Sequence, residues 1–182
     1  MPTTGIRQAD AVVDFWRRSS AHWFSKDRGF DERFRDRFLS LHLAAAGRRC
    51  DDWVTDATGA LALLILLDQY PRNAFRGTPH MYATDALALH FARQAQAGRH
   101  MDAVEGALRL FFCLPFAHSE SVGDQDISVR LNARLGGSFL SHAERHRDIV
   151  RRFGRFPHRN AILLRTSTAD EQAFLDAGGF AG

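Results

Sequence analysis

His118, Glu120 and His146 are the side chains of this chain best suited to general acid–base chemistry, since imidazole titrates near neutrality and a carboxylate can orient it. Downstream, residues 145–165 read RHRDIVRRFGRFPHRNAILLR, seven arginines against one acid, Asp148. Arginine grips carboxylate and phosphate bidentately. Arg155 and Arg159, with His158 and Asn160 beside them, are therefore candidate receptors for an anion. A second group of similar make-up, Asp68, Arg72, Asn73 and Arg76, lies in DQYPRNAFR. Each segment places an aromatic before a proline, followed by arginine and asparagine.

Two further chemistries are weighed on spacing. His142 and His146 stand four residues apart and could share a metal, with His118 or Glu120 as a further ligand. The HExxH pattern is absent, so no metal is assigned and no cofactor is named. A nucleophile is not evident: Ser119 adjoins His118 in sequence, no GxSxG elbow exists, and Cys113 lies in an apolar run. The arginines also have a purely architectural use. Asp68 can reach Arg72, and Asp148 can reach Arg152, one helical turn on, as clasps between helix ends.

Charge distribution limits the partners. Net charge is +3, but residues 1–144 carry 17 basic and 17 acidic side chains, and the excess sits in 145–165. With no nucleic-acid motif present, nucleic acid is not the expected partner. A small anion or a peptide is. Only one of the 24 basic residues, Lys26, is a lysine. The two cysteines, Cys50 and Cys113, match no zinc or CxxC spacing. No secretory signal is visible near the start, and the longest apolar run, Ala60 to Leu67, is far below the roughly 20 residues of a membrane span. The expected setting is cytoplasmic, with no membrane partner.

The elements that position these residues read as helices throughout. Apolar residues make up 45% and charged residues 25% of 182 residues, enough for a single helical domain over 1–182. Asp10 caps a first helix carrying Val12, Val13, Phe15 and Trp16. Phe30 opens a second, with Phe34, Phe38, Leu41 and Ala45 on one face, closed by Gly47. Gly59 opens a helix apolar all round, hence buried, and Pro71 stops or kinks it. Helices are expected over about 82–97, with Ala86, Leu89 and Ala92 inward, and over 103–116, ending near Pro115. Another spans 126–153, broken at Gly136-Gly137, with Leu135, Phe139, His142, His146, Ile149 and Phe153 on one face. Thr168 and Glu171 form a capping box for the last. No stretch alternates with period two. Short turns between helices predict antiparallel pairs in an all-α domain.

The motifs DFW, LALLILLDQYPRN, FRGTP, LPFAHSE, HRDIV and RFGRFPHRNAIL resemble those of a widespread bacterial family, domain of unknown function nine hundred and twenty-four, from about Val13 to Leu175. The resemblance implies a tetratricopeptide-like right-handed superhelix. Its shared polar positions fall on Asp68, Gln69, Arg72, Asn73, Arg76, Asp85, His118, Ser119, Glu120, Gln125, His146, Arg147, Asp148, Arg155, His158, Arg159 and Asn160. His142 stands outside that pattern, and Leu164 occupies a place where glycine is expected. Three functions fit these residues. The first is binding of a small anion by His118, Glu120, His146, Arg155 and Arg159. The second is acid–base catalysis by His118 or His146 on a carboxylate or phosphate. The third is a scaffold that takes a peptide in a superhelical groove.

Overall fold

The computed structural model describes residues 3–182, with side chains from Gln8 onward. Met1 and Pro2, part of the stretch read for a signal, lie outside the described residues. Among the described residues there are helices and turns and no strand, as helical periodicity requires. The α-helices are α1 Thr3–Arg18, α2 Arg28–Ala46, α3 Ala57–Leu64, α4 Tyr70–Ala74, α5 Asp85–Ala97, α6 Leu114–Ala117, α7 Val122–Ala133, α8 Ser138–Phe153 and α9 Ala169–Asp176. None of them is long and apolar enough to cross a membrane. Among the described residues two compact units result: the chain up to Arg76 with His80–Pro115, and Gly77–Pro79 with Phe116–Gly182.

The first unit is built around α3. Asp56 caps it by accepting the Gly59 N–H at 2.9 Å, so the helix begins at Ala57 rather than at Gly59. Every residue from Gly59 to Pro71 is buried, and α1 and α5 pack against α3. Pro71 does not stop the chain. A π turn, Ile65–Gln69, carries α3 into α4, with the Tyr70 N–H donating to Ile65 O. In that register Pro71 would donate to Leu66 O, and in α register to Leu67 O, but proline has no N–H. Side chains supply both bonds: His42 Nδ1 lies 2.9 Å from Leu66 O and Thr84 Oγ1 2.5 Å from Leu67 O. His42 thus takes the inward position expected for Leu41. Burial pushes its pKa down, and its ring stacks on Tyr70.

The second unit centres on α7 and α8, which pack as a hairpin closed by Gly136 and Gly137, both at positive φ. The break expected at these glycines is found, although α7 starts four residues earlier than Asp126. Thr168 and Glu171 form the expected capping box on α9.

Several boundaries differ from expectation. Asp10 lies inside α1 instead of capping it. Asp27, accepting the Phe30 N–H at 3.1 Å, starts α2 at Arg28. The inward stripe of α5 is Ala88, Phe91, Ala92 and Ala95, with Ala86 exposed. The stretch 103–116 is not one α-helix. It runs as 3-10 turns His100–Ala103 and Gly106–Phe112, interrupted at Gly106 with φ +53°, and then enters α6. Pro115 is the second residue of α6, where a missing N–H costs nothing, so it starts a helix instead of ending one. On α8 the buried residues are Ala143, Ile149 and Val150, and His142 is exposed.

Two substitutions test this packing. A Cβ on Gly59 would sit 2.1 Å from the Trp53 carbonyl oxygen, so Gly59→Ala is expected to lower stability in urea melts by about 1–3 kcal/mol. An unchanged midpoint would contradict the close approach. Leu164 holds φ +54° with 92% of its surface exposed, which explains the glycine expected there. Leu164→Gly should leave stability unchanged or raise it by up to about 1 kcal/mol, the left-handed backbone penalty being relieved; a clear loss would assign the leucine a contact it does not make here.

Candidate functional site

The polar residues of the first unit are closed on one another. Arg72 donates to both Asp85 oxygens at 2.7 and 3.0 Å, to Asp68 O at 2.8 Å, and pairs with the Asp68 carboxylate at 3.3 Å. The Asp68–Arg72 clasp one turn apart is thus formed. Asp68, 1% exposed, also accepts from Gln69 at 2.6 Å. Arg76 donates to Asp31 at 2.8 and 3.1 Å and to Asn73 at 3.1 Å, so it is bound rather than surplus. These guanidiniums pin the π turn and the start of α5.

In the second unit, α6 ends at Ala117 and releases His118, Ser119 and Glu120 into a loop. Gln125 of α7 holds that loop, donating to Ala117 O at 2.8 Å and Ser119 O at 2.7 Å, while Ser119 Oγ donates to Asp124 at 2.7 Å. Glu120 crosses to the segment after α8. It accepts the Phe156 N–H at 2.8 Å and both terminal nitrogens of Arg165 at 2.7 and 3.0 Å. Burial raises the Glu120 pKa, but the Arg165 and Phe156 bonds outweigh it and hold the carboxyl below the usual range. Arg159, 7% exposed, donates to His118 O at 3.0 Å, with its guanidinium 4.6 Å over the Phe156 ring. His118, Glu120, His146, His158 and Arg159 therefore gather around Phe156, which is fully buried.

Two imidazoles in this cluster, His146 and His158, are held neutral. Burial pushes His146 down to about 4, His118, His142 and Arg159 push the same way, and the bond from Nδ1 to His142 O at 2.7 Å only partly offsets them. Burial pushes His158 to about 3, reinforced by Arg159, His146 and His118 and opposed by Glu120. Burial is thus the main cause at both rings, and Arg159 is the permanently charged neighbour that pushes the same way. Two buried nitrogens here, His158 Nδ1 and Arg165 Nε, have no hydrogen-bond partner.

Other candidates fall elsewhere. Arg155 is a clasp: it donates to both Glu171 oxygens at 2.6 and 2.8 Å and to Thr166 O. Glu171, 2% exposed, also takes the Thr168 N–H and Asn160 Nδ2. These bonds, Arg155 first, hold its carboxyl down at about 2 against the opposing effect of burial. Asp148 is exposed, 4.0 Å from Arg147, and does not clasp Arg152, whose guanidinium lies over Phe153 and Phe174. Among the described residues no three His, Cys, Asp or Glu side chains are grouped to hold a metal. Sequence reasoning missed Arg165 as the partner of Glu120. It saw Glu171 only as a cap, and it overlooked Phe180, whose ring covers His146 and His158. Nothing in the local pattern GGFAG announces that contact.

The sequence pattern of a bacterial family described as protein of unknown function (DUF924) matches residues 12–179. A solved structure of a protein of unknown function, ATU0120 from Agrobacterium tumefaciens, is 53% identical. It covers 94% of this chain and 98% of its own, with TM-score 0.92. No protein of curated function matches significantly.

The two groups of shifted pKa values predict the acid limb of stability. His146 and His158 lie below the usual imidazole value when folded, so the unfolded chain takes up their protons first. Their contribution is complete above about pH 6.5 and drains away as the pH falls toward about 4 and 3. Glu171 behaves likewise between its ordinary value of 4.5 and about 2. Urea melts across this range should show His158→Gln flattening the upper part and Glu171→Gln the lower. Parallel curves for all three proteins would refute the assignment.

Proposed function

The chain belongs to the DUF924 family, and we propose that it binds a small anion at the cluster of His118, His146, His158 and Arg159. The observation that carries this reading is that two buried nitrogens, His158 Nδ1 and Arg165 Nε, have no hydrogen-bond partner; Arg165 Nε is a donor, and so is His158 Nδ1 in the tautomer that carries its proton there. Buried polar groups are rarely left unmade because each costs about 1–3 kcal/mol. An anion supplies acceptors, and the Arg159 guanidinium beside His146 and His158 favours its charge.

The proposal narrows the set of residues. Asp68, Arg72, Arg76 and Arg155 serve as ion-pair clasps, and Asn160 supports Glu171. Glu120 is an organiser, since Arg165 and the Phe156 amide occupy it. Catalysis by a His118–Glu120 or His146–Glu120 pair has less support, because that carboxylate is committed and His146 Nδ1 is spent on His142 O.

The test is thermal unfolding at pH 7 with increasing phosphate or sulfate. Binding to the folded site raises Tm saturably, whereas exclusion of these salts from the surface raises it without saturation in any variant. The expected result is a saturable rise at roughly millimolar anion in the wild type that shrinks in Arg159→Gln. Identical curves in both proteins would reject the site.

A further inference from the structure

Phe180 occupies a slot whose walls are the same imidazoles. Its ring centroid lies 4.7 Å from His146 and 5.0 Å from His158, both edge-to-face. Phe156 meets those two rings from within the core, at 5.6 Å each, and carries the Arg159 guanidinium. Resting on the anion reading above, we infer that the ligand is an anion bearing a flat aromatic group, and that Phe180 stands in the place of that group.

The attachment of Phe180 suits displacement. After α9 the chain turns at Gly178, with φ +78°, and the Gly179 N–H donates to Phe174 O at 2.9 Å. A Cβ on Gly179 would meet Phe174 O at 2.5 Å, so only glycine lets the strap leave the helix along this path. Among the described residues no hydrogen bond anchors Phe180, Ala181 or Gly182, and ring contacts hold the strap. Gly182 lies against the His158 imidazole. The strap therefore covers the ring whose Nδ1 has no hydrogen-bond partner. An aromatic carboxylate supplies both halves at once. Its ring reproduces the edge-to-face contacts of Phe180, and its charge meets Arg159 and, in the tautomer that carries its proton there, His158 Nδ1. A compact anion supplies only the second.

Calorimetry with acetate, phenylacetate and phenylacetamide on the intact chain separates these cases. In Phe180→Ala, where the slot is vacant, phenylacetate should bind about tenfold or more tightly than acetate, since the ring buries apolar area; in the wild type that gain is offset by exposing Phe180, and the neutral amide should not bind. On phenylacetate binding, the nuclear Overhauser contacts from Phe180 to His146 and His158 should disappear. Phe180→Ala, or Phe180→Leu if the first fails to fold, should strengthen phenylacetate binding and leave acetate unchanged. Equal affinity for acetate and phenylacetate in Phe180→Ala would overturn the aromatic inference while leaving the anion site standing. Phenylacetamide binding Phe180→Ala as tightly as phenylacetate does would also overturn it, because the slot would then be only a vacated ring pocket. Loss of all anion binding, including the phosphate response, would remove the underlying reading as well.

Discussion

Three hydrogen bonds converge on the Glu120 carboxylate, and the second unit depends on them. One comes from the Phe156 amide and two from Arg165, which also returns a bond to Phe156 O at 3.2 Å. This joins the loop after α6 to the segment after α8 at a single charged point. Because Phe156 is tied there, its ring is fixed beside His146, His158 and Arg159. Without Glu120, Arg165 would lose its carboxylate and the Phe156 amide its acceptor, leaving the Arg159 bond to His118 O as the remaining side-chain tie described between the two loops. Arginine suits the role because its planar fork matches both carboxylate oxygens at once.

The same chemistry recurs with a different outcome in the two arginine–asparagine segments. In DQYPRNAFR both arginines find buried or half-buried acids, Asp68, Asp85 and Asp31, and the segment is architecture. In FGRFPHRN the first arginine finds Glu171, while the second lies over Phe156 and bonds a carbonyl. Charge density by itself cannot distinguish these fates. The difference comes from which acids the fold delivers, and Asp31, Asp85 and Glu171 arrive from helices distant in sequence.

Helical structure was legible because it is local. The Phe30–Phe34–Phe38 spacing, the Thr168 cap and the Gly136-Gly137 break each depend on neighbours within a turn or two. The errors came from tertiary satisfaction of backbone groups. Pro71 reads as a stop or a kink; the helix does not stop, because His42 and Thr84 supply the two bonds it cannot make as the chain passes through a π turn. Pro115 reads as an end and is a beginning, because position within the helix decides whether a missing N–H matters. At the site, the histidines and arginines were named from residue type, and their proximity followed from long-range packing. Arg165 and Phe180 were invisible since each acts on partners far along the chain.

The central claim is that half-buried, neutral imidazoles beside Arg159 form a site that favours an anion. Nuclear magnetic resonance titration of the His146 and His158 ring protons, with and without sulfate, tests it most directly. Without the anion the two should titrate well below the ordinary histidine range, near 4 and 3. With saturating sulfate both should move upward, since a bound negative charge favours the protonated rings. Titration of both near 6.5, unmoved by sulfate, would contradict the account.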